Sequence, residues 1–281
     1  MKKDKNLPFL GKTAVIVGGS QGIGKATAFE LARLGANVCI IARNKDRLEA
    51  VQEELESQKP REEQQMSIIS ADATIEDQIR PALEKFIEES GCDILINCVG
   101  GAWPHYVQEY KLSDFEAAMT YNYTSAVIPI MTVLPHFMKQ GGHIVNMSSM
   151  AGYMGIIGYT TYSPAKFAMV GLSEALRHEL KPYKIHISVV YPSDTDTPGL
   201  KDEEKTKMEE LKILASTVKL KQPEDVAKTI VKGIRKKKFN IHIGSSGWIN
   251  WAKRHLPWLY VWFIDRDLKK SRKKLGKDTN Y

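Results

Sequence analysis

From Thr13 to Ser245 the chain alternates short apolar runs, rich in Val and Ile, with longer segments whose apolar residues recur at helical spacing. "TAVIVGG" leads into "GKATAFELARLG", "NVCIIAR" into "NKDRLEAVQEELESQK", "SIISADA" into "IEDQIRPALEKFIEESG" and "CDILINCVGG" into the long "SDFEAAMTYNYTSAVIPIMTVLPHFMKQG". "HIVNMSS" precedes "YSPAKFAMVGLSEALRHELKPY", and "KIHISVVYP" precedes a polar loop, the helical "PEDVAKTIVKGIRKKK" and a last run "FNIHIGS". The apolar runs are continuous, so each predicted strand must be buried on both faces, as in a parallel sheet covered by helices on either side. Strand–helix units joined by right-handed crossovers predict a single doubly wound α/β domain of the Rossmann type. Ligands of such sheets sit outside the carboxyl ends of the strands, so the residues just after each run are the candidates for chemistry.

A chain of 281 residues that is 43% apolar and 26% charged is ordinary for a globular protein. Cys39, Cys92 and Cys98 are too few and too scattered for a disulfide framework or a metal site, and read as small buried hydrophobes in a reducing compartment. The N-terminus "MKKDKNLPFL" has no apolar core of a secretory signal, and no stretch reaches the roughly 18–20 apolar residues of a spanning helix. Of the net charge of +7, six charges fall from Trp251 onward, where nine Lys or Arg face three Asp. A nearly neutral body with a cationic tail is not the pattern of a nucleic-acid binder, and no nucleic-acid partner is expected.

Gly18, Gly22 and Gly24 in "VGGSQGIGKA" follow the first strand at GxxxGxG spacing. Glycines there permit a tight turn and close approach of backbone to a pyrophosphate at a helix N-terminus; the alternative is a plain loop needing positive φ. Arg43 ends the second strand where an acid would bond a ribose 2′-hydroxyl, and with Arg47 one turn later it is placed for a 2′-phosphate, solvated surface arginines being the alternative. Tyr162 and Lys166 are four apart, hence on one helix face, and an ammonium beside a phenol favours phenolate. Ser148 and Ser149 end the fifth run, Asn97 ends the fourth, and Asn122 stands inside the long helical segment. "YPSDTDTPGLKDEEKTKM" places two Asp-Thr steps after the sixth run, either as an acidic turn or as part of a site.

Taken in order and spacing, GxxxGxG, "DAT" at Asp72, "NCVG" from Asn97, Asn122, Ser149 and YxxxK at Tyr162–Lys166 resemble the short-chain dehydrogenases/reductases over residues 11 to 244. Within that family "GGSQGIGK", "ARNKDRL", "GYTTYSPAKFAMVGLSEALRHELKPY" and "YPSDTDTPG" are most similar to the 3-ketodihydrosphingosine reductases. The resemblance implies NADPH as cofactor, held by Gly18, Ser20, Gln21, Gly22, Ile23, Gly24, Arg43, Arg47, Asp72, Asn97, Thr195, Tyr162 and Lys166. It implies Tyr162 as proton donor to a ketone, Ser149 as the group that polarises the carbonyl, Lys166 lowering the Tyr162 pKa and holding the ribose, and Asn122 ordering a water. The charged segment after Gly199 becomes a lid over the substrate, with no catalytic role for Asp194 or Asp196. Four positions depart from the family pattern: Val17 stands before the first Gly, Cys98 and Val99 replace Asn-Ala, and Pro164 is tolerable only in the first turn of a helix.

The expected substrate is a long-chain ketone, 3-ketodihydrosphingosine, with a steroid, a 3-oxoacyl chain or a non-catalytic scaffold as alternatives. Residues 1–247 are read as the catalytic domain. Residues 248–281, with Trp248, Trp251, Trp258 and Trp262 beside basic clusters, are read as a tail that lies on a membrane surface. A C-terminal helix packed on the body or on a partner subunit is the alternative. The tail implies peripheral attachment to the cytoplasmic side of a membrane (endoplasmic reticulum in a eukaryote), and the resemblance implies a homo-oligomer. His143 and His178 read as packing or surface residues, and Met119 and Met131 as core or subunit interface.

Overall fold

A computed structural model describes residues 6–216 and 218–277; the first five residues, on which the leader expectation partly bears, lie outside it. The seven apolar runs are the seven strands of one all-parallel sheet: β1 (Thr13–Val17), β2 (Asn37–Ala42), β3 (Met66–Ser70), β4 (Ile94–Asn97), β5 (Gly142–Met147), β6 (Ile185–Tyr191) and β7 (Asn240–His242). Their order is β3-β2-β1-β4-β5-β6-β7, so the winding reverses between β1 and β4. Register pairs Ala14 with Val38 on one side and with Ile94 on the other.

The helices are α1 (Gly22–Arg33), α2 (Lys45–Gln58), α3 (Glu76–Ser90), α4 (Leu112–Met119), α5 (Ser125–Gln140), α6 (Tyr162–Glu179), α7 (Pro198–Glu204), α8 (Glu209–Ala215), α9 (Pro223–Arg235), α10 (Ser246–His255) and α11 (Pro257–Lys274). Successive strand residues point to opposite faces. Ala14, Ile16, Val38 and Ile40 pack in one core with Leu31 of α1, Leu48 of α2 and Ile230 of α9. Val15, Val17, Cys39 and Ile41 pack in the other with Leu83 of α3 and Val133 and Phe137 of α5. This two-sided burial is why the runs are continuous.

The long segment after the fourth strand is not one helix. It breaks at Thr120–Thr124 into a π-turn that holds Asn122, and such turns mark places where one extra residue is accommodated, frequently at functional sites. Pro164 occupies the third position of α6, inside its first turn, where a proline costs no backbone bond. "DTDTPG" is partly a helix start: Thr197 Oγ1 caps α7 by accepting from Leu200 N at 3.2 Å, and Pro198 takes the first helical position. His143 is a packing residue. Ser188 Oγ donates to Lys238 O at 2.6 Å, so the ring Nε2, 2.8 Å away, donates to Ser188 Oγ, and burial pushes the imidazole pKa down to about 3. His178 is exposed on α6, and Met131 is exposed on α5.

The expected boundary at 247/248 falls inside the first turn of α10. That helix is fastened to the body at Tyr153, whose hydroxyl donates to Ser246 O at 2.8 Å and whose carbonyl accepts from Lys253 Nζ. Ile249 and Tyr260 pack against Tyr153 and Tyr191. α11 lies against α8. The C-terminal helices therefore pack on the body while keeping an aromatic face outward. No helix among the described residues is long and apolar enough to cross a membrane.

Candidate active site

A cleft of about 700 Å³ opens at the carboxyl ends of the strands, across the point where the winding reverses. One end is built by the turn from β1 into α1. Gly18 has φ +85° and Gly22 φ +55°, and a Cβ on Gly24 would lie 2.1 Å from Gly18 O. A Cβ on Gly18 would meet Val99 N at 2.9 Å, so the turn is pressed against the strand β4 exit and only glycine fits. Ser20, Gln21, Gly22 and Ile23 line this end, and α1 begins with neither a side-chain cap nor an acid in its first turn. Its N–H groups are left for an anion.

Arg43 and Arg47 stand at the outer edge of the same end. Arg43 is largely exposed, 3.7 Å from Asp72 Oδ2 and 5.9 Å from the centre of the Tyr121 ring, while Arg47 Nη1 donates to Gln21 Oε1 at 2.6 Å. Asp72 also caps its own turn, accepting from Thr74 N at 2.9 Å and Thr74 Oγ1 at 2.7 Å. A glycine cradle, free helix N–H groups and two arginines at the β2 edge are a donor set that fits a dinucleotide carrying a 2′-phosphate.

The other end gathers Ser149, Tyr162 and Lys166. α6 is registered on the end of β5 by two bonds: Ser148 Oγ donates to Lys166 O at 3.0 Å, and Lys166 Nζ donates to Met147 O at 3.1 Å. That registration sets Ser149 beside the Tyr162 phenol and places Lys166 Nζ 5.6 Å from the centre of the Tyr162 ring. Thr195 lines the wall opposite, its hydroxyl turned onto Ser193 O at 2.8 Å.

Two expected residues are not in the wall. The Asn97 side chain donates to Asn146 Oδ1 at 2.9 Å beneath the cleft, in a buried chain that continues to Ser173. Asn122 is 1% exposed and its amide clamps the Gly100–Gly101 turn, accepting from Gly101 N at 3.0 Å and donating to Gly101 O at 2.9 Å and Ala118 O at 3.2 Å. A Cβ on Gly100 would lie 2.8 Å from both Asn122 Oδ1 and Lys166 Nζ. Beside Lys166, the Asn122 amide thus bridges the Gly100–Gly101 turn and the Ala118 carbonyl.

The short chain dehydrogenase family model matches residues 12–208. The 3-ketodihydrosphingosine reductase of Mus musculus is 39% identical over 251 residues, covering 87% of this chain and 75% of its own. That of Dictyostelium discoideum is 38% identical over 256 residues, covering 85% and 77%. The chain is a short-chain dehydrogenase/reductase. Among solved structures, levodione reductase superposes with a TM-score of 0.75 at 22% identity, covering 83% of this chain and 95% of that one. A short-chain dehydrogenase from Sphingobium yanoikuyae in complex with NADPH gives 0.74 at 24% identity, covering 87% and 94%.

The electrostatics of this short-chain dehydrogenase differ from the sequence expectation at one point. Burial pushes the Tyr162 phenol up, Glu203 and Asp194 push it further, and only the contact with Ser149 opposes them. Burial pushes the Lys166 ammonium down to about 8. Burial first, and the two carboxylates after it, set the direction of the phenol's shift. Glu203 belongs to α7, accepts from Tyr159 OH at 2.5 Å and pairs with the buried Lys207 at 3.0 Å. Burial raises the pKa of both Glu203 and Asp194 as well. Neither Tyr159 nor Glu203 stood out in the sequence. Tyr159 lies in the loop before α6, outside the helical spacing that pairs Tyr162 with Lys166, and nothing local marked Glu203.

Gly24→Ala is expected to weaken NADPH binding at least tenfold, because the added Cβ would displace Gly18 O and open the cradle. Fluorescence titration measures it, and a change smaller than threefold contradicts the assignment of the turn.

Proposed function

We propose that the protein is an NADPH-dependent reductase of a long-chain amino ketone, 3-ketodihydrosphingosine, which it converts to dihydrosphingosine. The observation that carries this reading is the placement of Ser149, Tyr162 and Lys166 in one cleft whose far wall is apolar and supplied by α8, α10 and α11. The relatives named 3-ketodihydrosphingosine reductase support the substrate. Bound NADPH supplies the hydride to the carbonyl carbon. Tyr162 gives its phenolic proton to the carbonyl oxygen, and Ser149 donates a hydrogen bond to that oxygen as charge develops on it. Lys166, anchored on Met147 O, holds the ribose side and supplies positive charge behind the phenol. Arg43 and Arg47 hold the 2′-phosphate, with Asp72 orienting Arg43.

Asp194 and Glu203 favour this substrate over a steroid or a 3-oxoacyl chain. The amino ketone carries an ammonium on the carbon next to the carbonyl. The charges of Glu203 and Asp194 both reach the phenol and complement that ammonium; Glu203 is already paired with Lys207, so Asp194 is the carboxylate left to meet it. A neutral ketone brings no such compensation.

The outer face of α10–α11 is proposed to lie on an anionic membrane surface, on the cytoplasmic side of the endoplasmic reticulum in a eukaryotic cell. Trp248 and Trp258 are 68% and 69% exposed, and Val261, Trp262 and Phe263 are exposed beside Arg266, whose guanidinium stacks 4.6 Å from the Phe263 ring centre. Rings and cations together suit the headgroup layer, each basic residue adding roughly 1 kcal/mol there. Self-association belongs to the same proposal, with Leu112, Met131, Met138 and Phe167 exposed on α4, α5 and α6.

Tyr162→Phe is expected to bind NADPH normally and to lower the single-turnover rate by about 10²–10⁴-fold, the usual worth of a general acid. A rate above a tenth of wild type contradicts the proton-donor role. The double substitution Trp258→Ser, Trp262→Ser is expected to release the protein from phosphatidylserine vesicles, and high salt to release the wild type. Wild-type protein that ignores such vesicles at low salt contradicts the membrane reading.

A further inference from the structure

The apolar half of the cleft is walled by α8, α10 and α11, which lie beyond the residues 12–208 matched by the family model. On α11, Ile264, Asp267 and Leu268 line the cleft and Ser271 is 1% exposed. These positions are spaced i, i+3, i+4 and i+7, a single helix face turned toward α8. From α8 come Leu211 and Leu214, and from α10 comes Ile249. The two helices are held together at Glu210, which is itself 1% exposed. Its carboxylate accepts from Tyr106 OH at 2.7 Å and Lys277 Nζ at 2.9 Å, and its carbonyl accepts from Ser271 Oγ at 3.1 Å. Burial pushes the Glu210 carboxyl up, but these bonds outweigh it and leave it below the usual range. A buried, charge-paired fastening keeps the α8–α11 seam closed on the side away from the cleft.

Two lining residues of this half, Val218 and Ile264, are also exposed, at 40% and 38%. They mark an apolar mouth. Ile264 adjoins Phe263 and Trp262 on the outward face of α11, so the mouth is continuous with the aromatic surface. The opposite end of the same cleft is polar and carries Arg43 and Arg47. A ligand laid along it has its polar, reacting group at Tyr162 and its apolar part running toward the mouth.

The geometry points to an alkyl-chain channel between α8 and the C-terminal helices, walled by Leu211, Leu214, Ile249, Ile264 and Leu268 and opening at Val218 and Ile264 onto the aromatic face. It rests on the reading of the site as an amino-ketone reductase and adds where the chain lies and that the C-terminal helices are part of the substrate site. Its occupant is a single alkyl chain: Leu211, Leu214, Ile249, Ile264 and Leu268 offer aliphatic side chains in the same cleft as Tyr162, with Asp267 the polar residue on that wall. A chain of this kind entering at the mouth passes from an apolar surface to an apolar wall without crossing water.

The test uses the full chain loaded with NADPH and two substitutions that fill the channel from opposite sides, Leu214→Trp and Leu268→Trp, with Lys85→Trp on the exposed face of α3 as a control. The kcat/KM ratio for an eighteen-carbon over an eight-carbon 3-keto amino alcohol is expected to be large in the wild type, since each buried methylene is worth roughly fourfold. It should fall at least tenfold in both channel variants and hold in the control. Tm shifts caused by saturated amino diols of eight to eighteen carbons need no turnover, and should rise with length in the wild type and stop rising in both channel variants. Length dependence that survives both substitutions, or a wild type indifferent to length in rate and Tm, overturns the channel. A wild type that reduces neither ketone yet shows length-dependent Tm shifts overturns the proposed reaction and leaves the channel standing.

Discussion

β1 is hydrogen-bonded on both edges, to β2 on one side and β4 on the other, and the direction of winding reverses across it. Everything chemical in the molecule depends on that pairing. Because the crossovers leave in opposite directions, no helix covers the carboxyl ends of β1 and β4, and a crevice remains there. The glycine turn after β1 closes onto the exit of β4 through the Gly18–Val99 approach, which requires both the parallel register and the missing side chains. The same register carries β5 to a depth where Ser148 and Met147 can hold Lys166, and so places Ser149 against Tyr162.

Much of this was legible in sequence because the signals are local. Val15 and Ile16 are buried in opposite cores, and a strand with that fate must be apolar at every position, which the run "TAVIV" states directly. Tyr162 and Lys166 share a helix face by spacing alone, and Gly18, Gly22 and Gly24 announce a turn that side chains cannot enter. Asn97 and Asn122 were harder. Their positions in chain order are informative, but whether an amide faces the cleft or clamps a backbone turn is decided by Gly101 and Asn146, residues remote in sequence. Glu203 escaped for the same reason: its contact with Tyr159 spans 44 residues.

The C-terminal helices show how one sequence pattern can serve two surfaces. Tryptophans and basic residues after Gly247 read as a membrane tail, and the outward face fits that proposal. The inward face, with Ile264, Leu268 and Ser271 at helical spacing, packs on α8 and lines the cleft. Interleaved at 3.6-residue spacing, the two faces blur in a linear reading, and only the partner helix separates them.

The central claim is that the site reduces a ketone flanked by an ammonium, with Asp194 and Glu203 tuning the phenol that protonates it. Its most direct test compares NADPH oxidation on 3-ketodihydrosphingosine, on the same eighteen-carbon ketone lacking the amine, and on a steroid ketone and a 3-oxoacyl thioester. The account predicts a kcat/KM for the amino ketone at least tenfold above the others, on the order of the one to three kcal/mol expected for a charge-assisted contact. Equal turnover of the ketone with and without the amine, or preference for the steroid or the thioester, would contradict it.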